Sequence, residues 1–86
     1  MHTVEMLERA VGLAESLGYG IRHEWLGGSG GGACEFGGRK WVFVDVTLAV
    51  HEQLDQVIEA LRNDPAIRLA HVPTDIQRLI DRRTAA

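Results

Sequence analysis

Apolar residues return every three or four positions from Thr3 to Leu17, at Val4, Leu7, Ala10, Val11, Ala14 and Leu17. That spacing lines one face of a helix. Thr3 suits the cap and Glu5 the first turn, where a negative charge meets the positive end of the helix dipole. Gly12 weakens the middle by about 1 kcal/mol relative to alanine. Gly18 ends the helix, because glycine fits the left-handed position past a C-terminus.

The period then changes from three or four to two. Gly20 to Leu26 predicts a strand with Ile21, His23 and Trp25 on one side and Arg22, Glu24 and Leu26 on the other. The glycine-rich run Gly27 to Gly32 connects it, as a flexible loop, to Ala33-Cys34-Glu35-Phe36. Gly37-Gly38 follows, and then the apolar run Arg39 to Val46. Two glycines between two such runs predict a hairpin, since a two-residue primed turn needs positive φ. The register follows from the turn: Phe36 faces Arg39, Glu35 faces Lys40 and Cys34 faces Trp41. One face then carries Cys34, Phe36, Trp41, Phe43 and Asp45. The other carries Ala33, Glu35, Lys40, Val42, Val44 and Val46. The last strand is apolar on both faces over its middle, unlike a strand with one wet side.

Thr47 to Asn63 predicts a second helix, with Val50, Leu54, Val57, Ile58 and Leu61 as its stripe and Thr47 as its cap. Asn63-Asp64-Pro65 stops it. Residues 66–72 are apolar but short, open to a helical turn or a fourth, edge strand, and read as irregular with the strand as the alternative. Pro73 to Arg83 predicts a last helix capped by Thr74, with Ile76, Leu79 and Ile80 inward and Arg78, Arg82 and Arg83 outward. The fold class expected is α+β in two layers: a small three-stranded, possibly four-stranded, mostly antiparallel sheet with helices on one face, in the order αβββαα.

Length and charge narrow the picture. Eighty-six residues make one domain, spanning 1–86. A chain this short buries roughly 60–65% of its surface, so good packing or association must support it. The net charge of −3 provides no field for nucleic acid, and three arginines near the C-terminus do not change that. The single cysteine, Cys34, excludes an intramolecular disulfide and fits a reducing compartment. There is no secretion-signal pattern and no run near the ~20 apolar residues of a membrane span. A cytoplasmic protein with no membrane partner is expected.

Several patterns touch on chemistry. Gly27-Gly28-Ser29-Gly30-Gly31 fits the G-x-S-x-G spacing of a nucleophile elbow, but an elbow needs a strand before it, a helix after it and a large parallel sheet. The same run fits a dinucleotide pattern without the helix that receives the pyrophosphate. What survives is a backbone nest of Gly28, Ser29, Gly30 and Gly31 for an anion or ligand. His51 and Asp55 lie four apart on one helix face, as metal ligands do, within a sequence that lacks the second histidine of a zinc-protease helix. Cys34 sits opposite Trp41 and reads as a small buried apolar side chain. No catalytic residue and no cofactor is expected.

The aromatic residues carry more. The helical stripes are enough to cover Val42, Val44 and Val46, and they leave little for the opposite side of the sheet. Ile21, Trp25, Trp41 and Phe43 are therefore the interface candidates, against the alternative that they belong to the core. The function expected is a small non-catalytic association module. It is homodimeric through the aromatic sheet face or through the edge of the 39–46 strand, with another protein as the alternative partner. The competing reading is a small ligand- or metal-binding protein, or a hydrolase, using the glycine loop with His51 and Asp55.

Overall fold

The computed structural model describes residues 3–82. Helix α1 spans Thr3–Ser16, strand β1 Gly20–Glu24, strand β2 Gly32–Phe36, strand β3 Arg39–Asp45, helix α2 Val50–Arg62 and helix α3 Thr74–Arg82. A short 3-10 turn covers Pro65–Leu69. This is the two-layer α+β arrangement that the periodicities predict, with three strands; 66–72 holds four of the five residues of the 3-10 turn and then irregular chain, not a fourth strand.

Helix α1 begins at Thr3 itself, so its cap lies outside the described residues. It ends as its glycine requires: Gly18 has φ +97°, the Gly18 amide donates to the Glu15 carbonyl and the Tyr19 amide to the Ala14 carbonyl. Those two bonds form a Schellman motif and turn the chain into β1.

The hairpin has the predicted register, with Phe36 opposite Arg39, Glu35 opposite Lys40 and Cys34 opposite Trp41. Gly37 and Gly38 both have positive φ, +61° and +73°, the signature of a type I′ turn. The first strand lies on the other side of β3, parallel to it, with Gly20 opposite Trp41 and Glu24 opposite Asp45. The sheet order is β1-β3-β2. Both edges of β3 are therefore hydrogen-bonded within the chain. This corrects the expectation of a free edge on the 39–46 strand: the edges belong to β1 and β2.

Helix α2 starts three residues later than predicted, because Thr47 is engaged elsewhere. Its amide and hydroxyl both donate to Asp45 Oδ1, at 2.9 and 2.6 Å. Ala49 takes the cap position, and its amide donates to Glu52 Oε1 at 3.1 Å. Val42, Val44, Val57, Leu61 and Ile76 are fully buried, and Ala10 and Ala14 on α1 are buried with them. The small side chains of the two alanines let α1 come close to α2. Each large side chain removed from water contributes about 1.5–3 kcal/mol. Arg62 fastens α3 to α2: its guanidinium donates to the Ile80 and Leu79 carbonyls at 2.7 and 2.8 Å and to Glu59 at 2.6 Å.

Candidate association face and the loop beside it

Side chains alternate along each strand, so the two pairings fix which residues share a side. Ile21 is opposite Val42 and His23 opposite Val44, which places them on the helix side. Gly20, Arg22 and Glu24 share the other side with Trp41, Phe43, Cys34 and Phe36. Phe36 and Trp41 stack with ring centroids 5.6 Å apart and planes 14° from parallel. Phe36 also meets Phe43 at 6.3 Å. The Arg39 guanidinium lies 4.7 Å from the Trp41 ring centroid, a cation–π distance. Arg22 and Glu24 pair at 2.8 Å along the β1 margin.

Trp41 lies across Gly20. A Cβ at position 20 would stand 2.6 Å from two carbons of the indole. The absence of a side chain there lets the ring lie down on the backbone of β1. The indole N–H is shielded and meets no acceptor among the described residues, so the ring is held by packing and by its face toward Arg39 rather than by a hydrogen bond. Phe36 remains 54% exposed at the border of the cluster.

The four sequence candidates for an interface therefore separate. Trp41 and Phe43 come together, half-buried, and Phe36 completes the group. Ile21 packs against the core from the helix side. Trp25 lies beyond the end of β1 and is 84% exposed, apart from the stack. The parallel pairing of β1 decides this, since it turns even-numbered β1 residues toward the aromatic side.

The glycine loop has a definite structural role. The chain leaves β1 at one edge, must reach β2 at the opposite edge, and so crosses over the end of β3. That end is Asp45, whose side chain is fully buried. Its carboxylate accepts the Gly28 amide at 2.6 Å and the Leu26 amide at 3.1 Å, besides both Thr47 donors. Gln56 on α2 adds a second tie, accepting the Asp45 amide at 2.8 Å and donating to the Gly30 carbonyl at 3.0 Å. Ser29 turns inward as well, its hydroxyl donating to the Leu26 carbonyl at 2.6 Å. Burial raises the Asp45 pKa, but the Thr47 hydroxyl and the amides of Thr47, Gly28 and Leu26 outweigh it and hold the carboxyl at about 2.

Among the expected nest of Gly28, Ser29, Gly30 and Gly31, the donor identified is thus the Gly28 amide, and the anion it meets is the chain's own Asp45. Gly31, at φ +111°, is pressed against Gln56 and the Phe43 carbonyl, leaving no room for a side chain. His51 and Asp55 are both exposed on α2. Among the described residues no three His, Cys, Asp or Glu side chains gather closely enough to hold a metal ion. Cys34 is exposed on β2, not buried as expected. Arg78 and Arg82 are exposed on α3, and Arg83 lies outside the described residues.

A second polar cluster ties the hairpin to the 3-10 turn. The Tyr19 hydroxyl donates to Asp64 Oδ2 at 2.7 Å, Lys40 Nζ donates to the same oxygen at 3.1 Å, and the Ala66 amide donates to Asp64 Oδ1 at 2.9 Å. Lys40 also lies 4.4 Å from the Tyr19 ring centroid. Burial, then the hydrogen bond and charge of Asp64, push the Tyr19 phenol up to about 12.

Sequence reading missed Asp45, Gln56 and Gly20 as determinants of this region. One signal for Asp45 was present: a lone carboxylate in an apolar strand, in a chain with a glycine tract rich in free amides.

Fold and site together define a small α+β domain with one helix-covered and one aromatic sheet side. No helix among the described residues is long and apolar enough to cross a membrane. No family model, curated protein or solved structure matches this chain.

Proposed function

We propose that this protein is a non-catalytic association module that works as a homodimer, with the Phe36 margin of the aromatic sheet side at its contact surface. The observation that carries the reading is Phe36: a phenylalanine stacked on Trp41, at the margin of a sheet side without a helix, and more than half exposed. Apolar surface of this kind gains by leaving water, at about 25 cal/mol per Å². A second copy presents the same rings, so one patch serves both partners, as a two-fold interface requires. Its single thiol suits a reducing cytoplasm.

The ligand or hydrolase reading gains no support from the loop. The Gly28 amide and the Ser29 hydroxyl point to partners inside the chain. Light scattering on the reduced protein and on Phe36→Asp tests the proposal. The wild type gives twice 9.5 kDa and the variant gives half that value with unchanged circular dichroism. A wild-type monomer at tens of micromolar would refute it.

A further inference from the structure

We infer that two copies join along the outer edge of β2, in antiparallel register, with Cys34 facing Cys34 of the partner subunit across the two-fold axis. This rests on the homodimer reading and specifies how the copies meet.

The edge itself is the first observation. Strand β2 pairs with β3 on one side and with no strand on the other among the described residues. Ala33, Cys34, Glu35 and Phe36 are all exposed. Natural edges are guarded by lysine, proline or several charges. The sequence of β2 is Gly-Ala-Cys-Glu-Phe, with one charge and neither lysine nor proline. The other edge, β1, carries Arg22, His23 and Glu24.

The backbone supplies the second observation. A two-residue type I′ turn makes its flanking residues a hydrogen-bonded pair, here Phe36 with Arg39. Hydrogen-bonded and non-hydrogen-bonded pairs alternate, so Cys34 and Gly32 also direct their amides and carbonyls toward β3. The groups pointing outward belong to Ala33 and Glu35. Antiparallel pairing of β2 with a second β2 must therefore use those two residues. A dyad at Cys34 sets Ala33 opposite the partner's Glu35, and Glu35 opposite the partner's Ala33. All outward groups of the strand are then satisfied.

Side chains agree with that register. It sets Glu35 across from alanine rather than from another Glu35, which avoids like charges directly opposed. It sets Phe36 across from the partner's Gly32. Nothing lies within 4 Å of where a Cβ on Gly32 would stand, so the exposed ring finds open space over that backbone. The joined sheet has six strands, and its aromatic side runs through both subunits.

The position of Cys34 makes the test sharp. At a non-hydrogen-bonded antiparallel pair the Cα atoms stand about 4.5 Å apart, inside the ~4.4–6.8 Å range that a disulfide spans. Oxidation of the full chain with diamide is expected to give a covalent dimer through Cys34 in high yield. Ala33→Pro removes an outward amide while leaving the β2–β3 ladder intact, and is expected to give a folded monomer. Cys34→Asp places two carboxylates at the axis and is expected to do the same; it decides the matter should the proline variant fail to fold. A dimer that persists in the folded variants and resists oxidation overturns edge pairing while leaving homodimerisation standing. A wild-type monomer overturns both.

Discussion

Trp41 rests on Gly20 so closely that no side chain fits between the indole and the β1 backbone. This contact joins the first strand to the hairpin on the side away from the helices. It also explains why a ring on a sheet side without a helix is half-buried in a single chain. Gly20→Ala is expected to lift the indole and to cost about 1–3 kcal/mol, the usual range for overpacking a tight site. Urea denaturation at fixed protein concentration measures the loss. A stability equal to wild type would show that the ring is not held there.

Asp45 is the post over which the glycine loop is tied. Its carboxyl titrates at about 2 when folded, below the ordinary 3.8, so the unfolded chain takes up the proton first. The stabilisation is present above pH ~4 and is lost as pH falls toward 2. Asp64, held low first by the Tyr19 hydroxyl, acts in the same direction. The urea midpoint should therefore fall steeply across that window. Asp45→Asn should lower the midpoint at neutral pH, flatten the acid limb, and remove hydrogen-exchange protection from the amides of Leu26 and Gly28. Unchanged protection at those two amides would contradict the role assigned to Asp45.

Tyr19 is the chain's one tyrosine, so its ionisation is directly visible in the ultraviolet absorbance. The folded protein should titrate near 12 rather than 10. The unfolded chain loses the proton first, so the stabilisation is complete below pH 10 and disappears as pH rises through 12. Asp64→Asn removes the hydrogen-bonded charge and should bring the transition down toward 10. A wild-type transition at 10 would place the phenol in water.

The sequence and the structure agree where a local rule settles the geometry, and part where a distant contact does. Gly37-Gly38 admits a primed turn, and that turn alone sets Cys34 opposite Trp41. The placement of β1 has no such signal. Six glycine-rich residues reach either arm of the hairpin, and the choice of β3 follows from helix packing and from the Trp41–Gly20 fit. That choice sends Ile21 to the core and leaves Phe36, not Trp25, at the edge of the aromatic group. Thr47 illustrates the same limit. Its residue type favours a helix cap, but a carboxylate two residues earlier captures both of its donors.

Sedimentation equilibrium of the reduced protein across the micromolar range tests the homodimer most directly. The expected result is a mass of twice 9.5 kDa that declines toward a single chain on dilution, with Phe36→Asp monomeric throughout. A constant 9.5 kDa at every concentration would contradict association.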